Sequence, residues 1–379
     1  MMRRSFDIAV VGGGPAGTAT AIPLSRIGYS VLVLEATSYQ RLRPGETLPP
    51  TIAERLQRLG VFDLFLRQGY PPAAGIVSAW GKSQLQVNDF LFAVPSSGWQ
   101  IDRTAFDRML ADAASAAGAN VWTGSHLASR PQWEGKRWLF EARNHGRKFS
   151  CNCRFLVDAT GRCGTPWLSH LSARAVIDGL IGVAWIGKNN LQWPYTLVES
   201  IRDGWFYSAS LSSSQAIIVY MTDCDLYRQK VRQFPDLWWR ELCRTECTRV
   251  RFPAETGPND VKIFSAASVV RLQAAGDSWC AVGDAAISFD PLSGLGVQQA
   301  LDSALRAAEA VQEHLAGGET LDAYRRWVHR TFETYILARQ QYYSSEKRWP
   351  DSPFWQRRNN RSAAKTQPAP AHEVGKLRR

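Results

Sequence analysis

Phe6-Asp7-Ile8-Ala9-Val10-Val11-Gly12-Gly13-Gly14-Pro15-Ala16-Gly17 lies near the start of this 379-residue chain and decides its fold. Residues 6–11 are short, apolar and halted by glycine, the pattern of a strand buried on both faces. A helical pattern runs from Pro15 to Arg26 and stops at Gly28. Residues 29–34 then read as a second buried strand, closed by Glu35. Strand, glycine turn, helix, strand is a βαβ unit. Within it, Gly12 permits the tight turn, Gly14 lets the backbone approach a pyrophosphate, and Gly17 lets the helix pack on the strand. Gly13, Pro15 and Ala16 complete the turn and the start of the helix, whose free N–H groups and dipole favour phosphate. Glu35 is placed to accept hydrogen bonds from a ribose. A Rossmann-like, dinucleotide-holding unit is expected, with the nucleotide still undecided.

Further along, residues 37–50 carry loop signals and 51–66 a helical pattern, and 76–101 read as short strands. A helix is expected at 103–117 and a strand at 120–122. A hairpin over 138–142 and 148–153 turns at Asn144-His145-Gly146, and a buried strand follows at 155–158. The runs 181–186, 195–200, 205–210 and 216–221 have no helices between them. They predict a mainly antiparallel sheet, separate from the opening α/β layer. Residues 223–247 read as helical around Trp238 and Trp239, with Cys243 and Cys247 one turn apart. Residues 279–282 form a buried strand before Gly283-Asp284, and helices are expected at 296–315 and 321–345. The expected organisation is a discontinuous dinucleotide-binding domain (1–75, 98–172 and 265–325). A substrate domain (76–97 and 173–264), a C-terminal helical segment (326–358) and a disordered tail (359–379) complete it.

Lys and Arg outnumber Asp and Glu by 45 to 34, a formal charge of +11. Residues 359–379 carry +4 of it, and no nucleic-acid motif accompanies the +7 of the body. A solvated basic surface with a basic tail is the expectation, with no nucleic acid as partner. Seven cysteines are an odd number without zinc-ligand spacing, and the six His residues form no cluster. Reduced thiols, no metal and a cytoplasmic protein are expected. The N-terminal apolar run is too short and interrupted for a signal peptide, and no window is apolar enough to span a membrane.

Ala281-Val282-Gly283-Asp284-Ala285-Ala286 followed by Phe289-Asp290-Pro291-Leu292-Ser293-Gly294-Leu295-Gly296 resembles the second FAD-binding motif of the flavoprotein hydroxylase and halogenase superfamily. That resemblance implies FAD, held non-covalently, with Asp284 on the ribityl hydroxyls. It sets the backbone at Pro291, Gly294, Leu295 and Gly296 beside the flavin ring. Arg43-Pro44-Gly45-Glu46-Thr47-Leu48-Pro49, the Gly98-Trp99 to Arg103 segment and Asp158-Ala159-Thr160-Gly161-Arg162 match the same superfamily, adding Arg43 and Arg103 to the cofactor residues. Glu46 is the nearest candidate for a catalytic base and is equally suited to ordering its own loop.

Two further segments are similar to flavoproteins that mature tryptophan-derived quinone cofactors in partner enzymes. One is Glu199-Ser200 with Asp203-Gly204-Trp205-Phe206-Tyr207-Ser208. The other is Tyr342-Tyr343-x-x-Glu346-x-Arg348-Trp349 with Ser352-Pro353-Phe354-Trp355. Related halogenases share much of this pattern, but Ser293 stands where tryptophan halogenases place a Glu. No Lys precedes Trp80, although Lys82 follows it, and residues 205–210 lack the second Trp, the Ile and the Pro of the halogenase segment. Trp193, Trp205, Trp238 and Trp239 suit either a core or an aromatic substrate. The resemblance implies a monooxygenase using a flavin hydroperoxide made from molecular oxygen, with NAD(P)H or a separate flavin reductase as reductant. Its substrate would be a tryptophan of a quinoprotein precursor or its subunit. A small-metabolite monooxygenase or halogenase and a non-catalytic maturation flavoprotein are the alternatives.

Overall fold

A computed structural model describes residues 3–40, 43–90, 97–188, 193–211, 215–234, 236–252, 260–318 and 321–359. Residues 91–96 of the expected substrate layer and residues 360–379 of the expected tail lie outside them. The chain builds an α/β layer and a mainly antiparallel layer, joined on one side by C-terminal helices.

The first layer is a nine-stranded sheet with Arg4–Val11 near its centre, parallel to Val31–Leu34 on one side and to Arg147–Asp158 on the other. Ile8, Ala9, Val10 and all of Val31–Leu34 are buried, which is why no polar alternation appears there. The helix Pro15–Arg26 packs on this sheet between Arg103–Ala116 and Gly296–Leu315. Gly12 adopts φ 111°, and a Cβ there would sit 2.2 Å from the Ala159 carbonyl oxygen, so the turn admits only glycine.

The second layer is a seven-stranded sheet. Leu180–Lys188, Tyr195–Ile201, Gly204–Ser210 and Gln215–Asp223 form its body, and Gly75–Ala79 joins it by pairing parallel to Tyr195–Ile201. One face carries Trp205, Tyr207, Val219 and Met221 and meets Tyr343, Phe354 and Trp355 from the C-terminal segment. The other carries Phe206, Ile218 and Tyr220 under Trp238.

Several expected elements come out differently. The hairpin's second strand and the strand at 155–158 are one strand, Arg147–Asp158. Its first half pairs antiparallel with Arg137–Asn144, and its second half pairs parallel with Trp279–Ala281 on the same side. The hairpin turns where His145 (φ 45°) and Gly146 (φ 82°) both take the left-handed geometry such two-residue turns need. The expected helix at 51–66 is two helices, Ile52–Arg58 and Phe62–Leu66, parted at Gly60 (φ 63°). Residues 223–247 fall into Cys224–Val231 and Leu237–Cys243, with Thr248–Arg251 beyond. Cys247 is therefore the cap of the third helix and not a turn away from Cys243 on a shared one. Its amide is drawn off to a buried carboxylate described below. Asn359, assigned to the tail, ends the helix Pro353–Asn359. All seven cysteines are free thiols. No described helix is long and apolar enough to cross a membrane.

Candidate functional site

The glycine turn is fixed from behind before any ligand is considered. Gly13 N donates to Glu35 Oε2 at 2.9 Å, and the Tyr39 hydroxyl donates to the Gly13 carbonyl at 2.9 Å. Glu35 is buried, and its other oxygen accepts from Thr37 N and Oγ1 at 2.9 and 2.5 Å. A Cβ on Gly13 would meet Tyr39 and Glu35 side-chain atoms, and one on Gly17 would lie 1.9 Å from the Gly12 carbonyl oxygen. Gly14 differs: only Arg43 Nη1, at 3.4 Å, lies within reach of its missing side chain. The helix it starts, with Pro15 first and Ala16 next, has no side-chain cap and no acid in its first turn. Its leading N–H groups therefore keep their attraction for an anion on the open side.

Arg43 and Arg103 both converge on Asp107. Arg43 Nη1 lies 3.3 Å from Asp107 Oδ2 and Arg103 reaches Asp107 Oδ1 at 3.2 Å. Arg43 also approaches Glu35 at 3.5 Å, while Arg103 donates to the Pro44 carbonyl at 2.6 Å. Asp107, which the sequence reading does not single out, is thus the anchor shared by both arginines. A Cβ on Gly45 would meet Arg103 at 2.7 Å and Val297 at 3.6 Å, which brings the 43–49 strap against the start of Gly296–Leu315.

The second motif reaches the same place through the sheet. Trp279–Ala281 pairs with Arg147–Asp158, and Gly283 (φ 57°) would clash with Ala16 Cβ at 2.7 Å if it bore a side chain. Asp284 is partly exposed and ion-paired with Arg162 Nε at 3.2 Å. Arg162 also donates to the Ala267 and Phe289 carbonyls, so it ties Asp284 to the loop that follows. Its place in the Asp158–Arg162 segment was visible in the sequence, but not its partner. Pro291–Ser293 is a single 3₁₀ turn ended by Gly294 (φ 63°). Beyond it Leu295 is exposed, and the missing side chains of Gly294 and Gly296 would meet nothing within 4 Å. An open phosphate cradle at Gly14, an accessible carboxylate at Asp284 and an unobstructed backbone at 294–296 fit an extended dinucleotide carrying a flat ring.

A family model described as an FAD binding domain matches residues 5–338. The chain belongs to this family. LodB of Marinomonas mediterranea, named as an FAD-dependent oxidoreductase, is 31% identical over 372 residues, which is 95% of this chain and 98% of that one. Among solved structures, the myxobacterial chondrochloren halogenase CndH superposes with a TM-score of 0.82 at 25% identity, over 97% of this chain and 87% of its own. QhpG, a peptidyl tryptophan dihydroxylase essential for tryptophylquinone cofactor biogenesis, gives 0.77 at 25% identity, over 93% and 78%. The protein is a flavin-dependent enzyme of the FAD monooxygenase and halogenase superfamily, and FAD is its cofactor.

Glu46 follows Gly45, the residue whose missing side chain would meet Val297 at the start of Gly296–Leu315. It is buried, and its Oε1 has no hydrogen-bond partner. Burial pushes its carboxyl up from the ordinary glutamate value, against weaker lowering by backbone amides and Arg103. Burial pushes the Tyr207 phenol up as well, and the Glu46 carboxylate adds to it, so the two groups share one water-poor space. The two segments singled out by resemblance also meet. Ser200 Oγ donates to Glu346 Oε2 and receives Arg348 Nη2, each at 2.6 Å, and Trp355 Nε1 donates to the Ile201 carbonyl at 3.0 Å. Trp205 Nε1 donates to the Tyr343 hydroxyl at 3.1 Å, which donates in turn to Asp290 Oδ2 at 2.7 Å. Asp290 caps Leu292 N and is held by Arg339. The unit thus ends on the residue preceding Pro291. Glu199 lies apart from this chain of contacts. Its carboxylate is taken up by the N–H groups of Glu246, Cys247 and Thr248 and by the Thr248 hydroxyl. Of the four tryptophans considered for substrate stacking, Trp205 and Trp238 are buried in the two faces of the sheet, where each N–H has a partner. Trp193 and Trp239 are half-buried. Lys82 is exposed in the turn after Gly75–Ala79.

Proposed function

We propose that this enzyme is an FAD-dependent monooxygenase that hydroxylates a tryptophan side chain of a partner polypeptide during formation of a tryptophan-derived quinone cofactor. The observation that carries the reading is the union of residues 199–208 with 342–355 and its attachment to Asp290. The two segments that resemble quinone-maturing flavoproteins are one structural unit, bonded to the flavin loop. The similarity to the peptidyl tryptophan dihydroxylase supports the same substrate class.

In this reading residues 12–17 and Arg43 hold the pyrophosphate, Glu35 a ribose and Asp284 the ribityl chain, while the 291–296 backbone lies along the ring. Bound there, FAD supplies the oxygen-activating chemistry once a separate reductase or NAD(P)H has reduced it. The chain's own work is to orient the indole, exclude water and move a proton. Glu46 is the group for the last task, because its raised carboxyl and unpartnered Oε1 let it accept the proton that the ring carbon loses and pass it on to solvent. Hydroxylation is favoured over halogenation because no Lys precedes Trp80, the following Lys82 is exposed, and Ser293 stands where tryptophan halogenases place a Glu.

The test mixes FAD-loaded enzyme, a flavin reductase with NADH, oxygen and bromide with a quinoprotein precursor, and reads the precursor by mass spectrometry. Addition of one or two oxygen atoms to a single tryptophan is expected. A brominated product, or efficient turnover of free tryptophan with the precursor untouched, transfers the enzyme to the small-aromatic halogenase or monooxygenase class that the CndH likeness favours. A stable complex without any product leaves a maturation flavoprotein without turnover.

A further inference from the structure

We infer that Tyr207 decides which ring this enzyme accepts: its hydroxyl takes the hydrogen bond of the substrate's indole N–H. That the ring is an indole rests on the tryptophan reading above, whereas the free hydroxyl is a feature of the chain itself.

Tyr207 stands mid-strand in Gly204–Ser210, opposite Val198 of Tyr195–Ile201 and Val219 of Gln215–Asp223. Directly opposed and alternate residues share a face, so Thr196, Val198 and Tyr207 point to the same side. There Thr47 Oγ1 lies 2.8 Å from Thr196 Oγ1, which fastens the 43–49 strap to the sheet one residue from Glu46. Leu292, from the turn after Asp290, packs against the cluster that holds Tyr207, as do the half-buried Ile76 and Ile186. The phenol is thus enclosed by the sheet, the strap and the 291–296 loop. In the proposed reading these are the walls of the space where the ring meets the flavin.

Tyr207 is 8% exposed, yet its hydroxyl bonds to no described residue and still touches open space. Buried phenols and indoles ordinarily find a partner, and the rest of this aromatic cluster has done so. Tyr343, Trp205, Trp80 and Trp355 are all bonded, and Thr47 and Thr196 satisfy each other. Among these described groups Tyr207 alone is uncommitted. Burial and the Glu46 carboxylate push its phenol well above the ordinary range, so it stays neutral, with lone pairs free to accept. The neighbouring walls at Val198, Ile76, Ile186 and Leu292 offer only carbon, which suits the faces and carbon edges of an aromatic ring. An indole N–H is a donor only, and buried without an acceptor it is costly. Tyr207 is where that one polar atom is answered, and Glu46 is left to the proton from the ring carbon.

Isothermal titration of the FAD-loaded protein with indole and with 1-methylindole, which carries no N–H, tests it. The parent should prefer indole by about tenfold. Tyr207→Phe should weaken indole by about tenfold and abolish the preference, with FAD content unchanged. Because the hydroxyl bonds nothing in the protein, this variant should melt at or above the parent, whereas loss of a structural tyrosine would lower the melting temperature and weaken both rings alike. The inference is overturned if neither ring binds, if the parent does not discriminate, if Tyr207→Phe still prefers indole, or if that variant melts several degrees lower. Oxygenation of the quinoprotein precursor by the parent is scored separately. Oxygenation accompanied by any of those results sinks the role of Tyr207 alone. An untouched precursor, with the N–H preference present in the parent and lost in Tyr207→Phe, sinks the tryptophan-hydroxylase reading and leaves Tyr207 as an indole-selecting hydroxyl.

Discussion

Replacing Tyr343 with Phe removes one oxygen atom from the centre of the molecule and leaves the ring packed. The hydroxyl is buried, donates to Asp290 Oδ2 at 2.7 Å and accepts from Trp205 Nε1 at 3.1 Å. Burial, reinforced by Asp290, pushes this phenol well above its ordinary range, so it remains a donor throughout accessible pH. Losing a hydrogen bond to a charged group costs about 1.5–3 kcal/mol, and leaving the Trp205 N–H buried without a partner costs about 1–3 kcal/mol more. Asp290 keeps Arg339 at 3.2 Å and the Leu292 amide at 3.0 Å, which limits the first cost. A loss of about 3 kcal/mol follows, or a fall of about 1 M in the urea midpoint at a slope near 3 kcal/mol per M. Urea unfolding of the FAD-loaded protein measures it. A cycle with Trp205→Phe should show a coupling of about 1 kcal/mol, because the two groups share one bond. A midpoint change below about 0.2 M, with no coupling to Trp205, would refute the argument that this hydroxyl ties the seven-stranded sheet to the 290–296 loop.

Asp284→Ala should lower FAD retention after gel filtration, and Gly14→Trp should lower it further by filling the open side of the cradle; equal FAD content in all three proteins would count against both roles. Glu46→Gln has a pH signature. The folded carboxyl lies above the 4.5 of a free glutamate, so the unfolded chain loses this proton first as pH rises, and the folded state is progressively penalised above that value. Relative to its parent, Glu46→Gln should therefore be unchanged in melting temperature near pH 4 and gain progressively as pH rises above 4.5, by roughly 1.4 kcal/mol per unit of pKa separation. A difference that stays flat with pH would show that Glu46 titrates as an ordinary carboxyl.

Local pattern carried a good deal of this structure. The helix Pro15–Arg26 and the strand Asn120–Trp122 fall at their expected residues, because glycine, proline and uninterrupted apolar runs act over a few positions. The strands of the second sheet were legible for the same reason. What failed was decided at a distance. Thr248–Arg251 stands apart from Leu237–Cys243 where three backbone N–H groups turn to Glu199, some fifty residues earlier. Arg162 was quoted only within a motif, since nothing near it announces Asp284 as its partner. The union of residues 199–208 with 342–355 is likewise a fact of packing. The sequence supplied both segments and no sign that they touch.

The strand Arg147–Asp158 belongs to two assemblies at once, and this makes the hairpin turn a ruler for the glycine turn at residues 12–17. Counting from His145–Gly146, the antiparallel pairing places Cys153 opposite Trp138, and the same strand then sets Val157 beside Val10 and Asp158 beside Val11. Ala159, one residue on, is what closes over Gly12. A slip of one residue at the turn would rotate Phe155, Leu156 and Val157 to the opposite faces of the sheet and draw Ala159 off the glycine loop. The dimensions of a surface hairpin are thereby copied into the glycine turn at residues 12–17. An insertion or deletion at that turn, remote from any flavin contact, should surface as a defect in cofactor loading.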